Sequence, residues 1–146
     1  MKYLKKFKEI NESSDLDLIT AAEDGDIKTV RKLIEAGANL DIQNSEGYTA
    51  LLFASINNHI EIVKLLIDAG ANLDIQNNRG DTALIWASKN NHIEIVKLLL
   101  DNFADEFIVD NGGKSFYHYL NDENKEMIRK LYPNEVENAI NIMEES

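Results

Sequence analysis

The stretch EAGANLDIQN at Glu35–Asn44 returns as DAGANLDIQN at Asp68–Asn77, 33 residues later. The same offset carries NNHIEIVKLL from Asn57–Leu66 to Asn90–Leu99, takes His59 to His92, and runs through Gly47, Gly80 and Gly113. Roughly twenty of the 33 positions agree between Asn44–Gln76 and Asn77–Val109, which marks a duplicated structural unit. Extending the period both ways divides the chain into repeats at 15–43, 44–76 and 77–109 and a shortened capping unit at 110–132. Segments 1–14 and 133–146 flank them.

Each unit reads as helix, turn, helix, finger. Thr49, Thr82 and Ser115 stand just ahead of apolar stretches, where a hydroxyl oxygen can accept from the free amides of a first helical turn. In the first helix Leu51, Ala54 and Ser55 follow the i, i+3, i+4 spacing, and the small residues let a neighbouring helix approach. Asn58 and Asn91 take the place of Gly25, at a helix end that needs a left-handed backbone. A second helix then starts near His59 or His92. Its sequence IEIVKLL is apolar on most sides except a charged stripe at Glu61, Lys64 and Asp68 that faces water. Gly37 and Gly70 supply the C-terminal cap, and NLDIQN leads to a polar tip at Gly47 or Gly80. Such a hairpin cannot bury its apolar faces alone, so the expected architecture is an all-α repeat. It is an α-solenoid of three units plus a capping partial repeat, stabilised by stacking.

The period, the TAL at Thr49 and Thr82, the asparagine–histidine pairs at 58–59 and 91–92 and the GANLDIQ string resemble the ankyrin repeat over about Asp15–Tyr132. Ala50 and Ala83 depart from that pattern where proline is usual. Leu52 and Ile85 depart where a framework histidine is usual, a position with which His118 aligns. The resemblance implies a stack whose fingers and first helices line a concave surface, with non-enzymatic protein binding as its activity.

Phe103 takes the place of Gly37 and Gly70, where a left-handed conformation costs a bulky residue about 1 to 2 kcal/mol. The third finger is therefore expected to be rebuilt, with its apolar continuation EFIVDNGGKSF lying against the final helices. At the ends, Leu4, Phe7 and Ile10 recur every three residues among lysines, so 1–14 reads as a basic amphipathic cap. The rival is contact with an anionic membrane or an acidic partner. Segment 133–146 reads as an acidic helix or tail.

Composition narrows the function. The net charge of −11 and the pI of about 4.6 argue against direct nucleic-acid binding, which needs a basic stripe. With no cysteine there is no disulfide and no thiolate metal site, and no apolar run reaches the roughly 20 residues of a membrane span. No signal peptide is recognisable, so a cytoplasmic monomer is expected, acting where it is made or after delivery into a host cell. NGGKS at Asn111–Ser115 imitates the end of a phosphate-binding loop but has Ile108 where that loop requires glycine. His59 and His92 share one repeat position, and all three histidines have structural roles available. Neither cofactor, metal nor catalytic residue is expected. Phe53 and Trp86, also one repeat position, are expected to pack between repeats.

Positions that differ between near-identical repeats are those the fold does not dictate. At the finger tips these are Ser45 with Asn78, Glu46 with Arg79, and Tyr48 with Asp81; on the first helix they are Ile56 with Lys89. Asn57 and Asn90 lie beside them. These ten residues form the expected partner-binding set, with Tyr48 and Ile56 partly exposed as anchors of an adaptor or inhibitor. The alternative is an inhibitor whose carboxylates, such as Glu12, Asp15, Asp24, Glu46 and Asp81, imitate a polyanion and block a nucleic-acid-binding protein.

Overall fold

The computed structural model describes the backbone of residues 15–144 and the side chains of 15–141. The expected basic cap at 1–14 lies outside the described residues. Nine helices and no strand make up the described chain: α1 at 15–24, α2 Ile27–Glu35, α3 Ala50–Ile56, α4 Ile60–Asp68, α5 Ala83–Lys89, α6 Ile93–Asp101, α7 Phe116–Tyr119, α8 Asp122–Leu131 and α9 Pro133–Glu144.

Local chemistry sets the helix ends. Thr49 and Thr82 are extended N-caps whose hydroxyls accept from Leu52 N–H and Ile85 N–H, each at 3.2 Å. Ser115 holds the same position but makes no capping bond, and its buried hydroxyl has no partner. Asn58 and Asn91 turn the chain with φ of 59° and 53°, so both helical hairpins close as their sequence requires.

Stacking then builds the core. First helices α3, α5 and α7 pack in one row and second helices α2, α4 and α6 in another. Leu66 and Leu99, one repeat position, are both fully buried, as are Ile62 and Ile95, so a single apolar cluster runs through all the repeats. Polar ties reinforce the row: the ring nitrogens of His59 and His92 lie 3.1 and 3.0 Å from the carbonyls of Glu23 and Ser55 in the preceding unit. Two histidines are thus structural links, but His118 is exposed and not part of the framework. The reason is that α7 is a single turn and α8 begins early behind the Asn121 cap, so the fourth hairpin leaves the register of the others. Partial desolvation of this otherwise exposed ring and the nearby Lys114 and Lys125 lower the pKa of His118 below the ordinary imidazole value. α9 covers the end of the stack, packing on α7 and α8.

The fingers stack as the helices do. Asn44, Asn77 and Asp110 each turn a tip by accepting two backbone N–H groups, from Glu46 and Tyr48, Arg79 and Asp81, and Gly112 and Lys114. Backbone bonds of 3.0 Å from Asn78 N–H to Glu46 and from Asn111 N–H to Arg79 join one tip to the next. Gly80 is required here: its φ is +79°, and a Cβ would fall 2.8 Å from Asn111 N.

The expected rebuilding of the third finger is not found. Phe103 adopts the left-handed φ of 63° and is 92% exposed. Asp105 N–H bonds Asp74 at 2.8 Å, just as Asn72 N–H bonds Asp41. One backbone residue absorbs the strain, so the finger beyond it keeps its course. The segment meets the last helix through Glu106, which accepts from Asn138 of α9 at 2.9 Å.

Candidate protein-binding face

α3 and α5 pack on one another along the row and on their own second helices α4 and α6, which leaves one face of each uncovered. On α3 that face carries Phe53 and Ile56, followed by Asn57; on α5 it carries Trp86 and Lys89, followed by Asn90. Tyr119 holds the equivalent place on α7. Phe53 and Trp86 are therefore half-buried surface residues, where packing between repeats was expected. The reason is geometric: they lie three residues before Ile56 and Lys89, hence on the same side of the helix.

Two neighbouring patches result. In the second repeat the Tyr48 ring stacks on Phe53, centroids 4.9 Å apart and planes 20° apart, with Ile56 half-buried beside them. In the third repeat the equivalents of Tyr48 and Ile56 are Asp81 and Lys89, which form an ion pair at 2.7 Å. The Lys89 ammonium also lies 3.8 Å from Asp110 Oδ2 and over the rings of Trp86 and Tyr119 at 5.0 and 4.8 Å. The Tyr119 hydroxyl donates to Asp110. Burial opposes ionisation of Asp110, but the bonds from Tyr119, Lys114 N–H and Gly112 N–H, with Lys89 nearby, outweigh it and hold the carboxyl below the usual range. The same pair pushes the Tyr119 phenol up to about 12, through burial first and the Asp110 carboxylate second.

The ten sequence-selected residues divide by environment. Ser45, Glu46 and Arg79 are exposed at the finger tips, and Tyr48 and Ile56 are half-buried on the open face. Asn57, Asn78 and Asn90 are exposed, yet their amides donate to the preceding repeat, to Glu23, Ser45 and Ile56 carbonyls at 3.1 to 3.2 Å. They tie the stack together besides facing solvent. Asp81 is corrected from a surface position to a fully buried one, because its carboxylate turns inward to Lys89. Sequence comparison missed Phe53, Trp86 and Tyr119, since it sought positions that change between repeats and these stay aromatic. The period-33 aromatic series on a face shared with Ile56 and Lys89 was the available signal.

Among the described residues, no three histidine or acidic side chains cluster so as to hold a metal ion, and no helix is long and apolar enough to cross a membrane. A search of curated proteins gives no match. A family model described as ankyrin repeats (3 copies) matches residues 18–111 and 70–143, which together span most of the chain. With the 33-residue period, the stacked helical hairpins and the linked finger tips, that match establishes that this chain belongs to the ankyrin-repeat family.

Proposed function

We propose that this protein is a non-enzymatic binding module, an adaptor or inhibitor that takes another protein on the concave face formed by its fingers and first helices. Ankyrin repeats generally mediate protein–protein binding. The observation that carries the reading here is the partly exposed aromatic series Tyr48, Phe53, Trp86 and Tyr119 on the open face, because tryptophan and tyrosine are enriched among the hot spots of protein interfaces. Ser45, Glu46 and Arg79 form its rim, where contacts set orientation more than affinity. A cytoplasmic monomer, in its own cell or in a host, is the setting this reading assumes.

The polyanion-imitating alternative finds no support. Two of its carboxylates are engaged inside the fold, Asp15 accepting from Asn39 N–H at 2.6 Å and Asp81 holding Lys89. Such an array needs charges free to face a cationic surface.

The test is affinity capture from the native cell with the wild type, a Tyr48→Ala/Phe53→Ala variant and a control changed on the opposite ridge, Glu61→Ala/Lys64→Ala. Partners retained by the wild type and the ridge control at about 200 mM salt, but lost from the aromatic variant, are expected. Equal recovery by all three folded baits would remove the concave-face reading.

A further inference from the structure

A lysine on an open protein face normally extends its ammonium into water, yet Lys89 is only 24% exposed and is surrounded. Two carboxylates and two aromatic faces converge on it: Asp81 at 2.7 Å, Asp110 at 3.8 Å, and the rings of Trp86 and Tyr119 within about 5 Å. Asp81 is fully buried, and its second oxygen, Oδ2, has no hydrogen-bond partner. Asp110 is 8% exposed and is held in place by Tyr119 and the finger backbone. The fold does not demand a lysine here, because the equivalent residues are Glu23, Ile56 and Asp122. What the third repeat and the capping unit build together is a seat for a cation, occupied by a side chain of the chain itself.

We propose that this seat receives a basic side chain of the bound protein, an arginine by preference, and that Lys89 is an internal occupant which the incoming group displaces. A guanidinium is flat and presents paired donors, so it can lie between the Trp86 and Tyr119 faces while serving both oxygens of Asp81, which one ammonium does not. Exchanging one cation for another keeps the buried carboxylates paired, so the exchange avoids the penalty of opening the site empty. Lys89 leaves by rotating its four-carbon stem, without movement of α5. The Tyr48–Phe53 stack alongside would take an apolar group, so the preferred partner segment places a basic residue next to an apolar one. The choice of partner rests on the concave-face reading, whereas the seat can be tested without any partner.

Trp86 is the only tryptophan of the chain and reports on the seat directly. The probe is N-acetyl-argininamide, with the neutral N-acetyl-citrullinamide as control, at pH 7.5. In Lys89→Met the seat is emptied; in Asp81→Asn/Lys89→Met its main carboxylate is removed as well. Saturable change of Trp86 emission by the arginine probe is expected in Lys89→Met at concentrations about tenfold or more below those the wild type requires, since the tethered lysine competes there. The same probe should raise the melting temperature of Lys89→Met. Citrulline should do neither, and the double variant should not respond. A Lys89→Met response no larger than that of the double variant, or equal for the two probes, overturns the proposal. Should Lys89→Met not fold, the wild type carries the test: its emission must change saturably with the arginine probe and must not do so in Asp81→Asn, and any other result overturns the seat. The two readings fail separately, because loss of the seat leaves capture through Tyr48 and Phe53 intact, and loss of that capture leaves arginine binding to the purified variant intact.

Discussion

The second and third repeats are near-copies with different surfaces. Their central core positions are shared, with Leu66 and Leu99, Ile62 and Ile95, and Ala54 and Ala87 all fully enclosed. On the open face the same two scaffold positions hold Tyr48 and Ile56 in one repeat and Asp81 and Lys89 in the next. One outcome is an aromatic stack and the other a charged, partly buried cluster. The comparison teaches that stacking constrains the flanks of each hairpin and leaves its open face free to diverge, which is how a repeat scaffold acquires specificity.

That equivalence can be broken most forcefully in the core. Leu66→Ala and Leu99→Ala should each lower stability by about 2 to 5 kcal/mol in urea unfolding, and by amounts within about 1 kcal/mol of each other. A large inequality would show that the two repeats do not share one core.

The glycine position after the second helix sharpens the contrast. Phe103→Gly should stabilise the protein by about 1 kcal/mol, because it relieves a left-handed phenylalanine whose ring makes little use of its place. Gly70→Phe should reverse the effect in the second repeat, where φ is +88° and space is open. If Phe103→Gly destabilises instead, the ring has a packing role that its exposure conceals.

The smallest effect concerns the charged patch alone. Tyr119→Phe removes the donor to Asp110 and should lower stability by about 0.5 to 1 kcal/mol near neutral pH. Asp110 has a depressed folded-state pKa, so the stability it supplies is present above the ordinary carboxyl value of about 4 and is lost as pH falls through the lower folded value. The gap between wild type and Tyr119→Phe should therefore close below about pH 4. A gap that persisted in acid would place the effect of the hydroxyl elsewhere. Tyr48→Phe in the second repeat, where stacking dominates, should show no such pH dependence.

Much of the fold was legible because stacked repeats write their contacts at a fixed period. Thr49 and Thr82 cap, Asn58 and Asn91 turn left-handed, and Gly80 admits the next finger, all through interactions within a few residues or one repeat away. The fourth unit was harder, since Ser115 and His118 keep the spacing of the motif while α7 stops after one turn.

By itself, the sequence determined the period, the hairpin of each unit, the acidic balance and the positions free to vary, because these follow from local backbone preference and from repetition. Only the tertiary structure decided that Phe53 and Trp86 lie on the open face, that Asp81 is buried, and that Lys89 sits among two carboxylates and two rings. The charged cluster depends on how side chains from the third repeat and the capping unit converge, and a distance between residues 81, 89, 110 and 119 is set by stacking geometry and not by any of them alone.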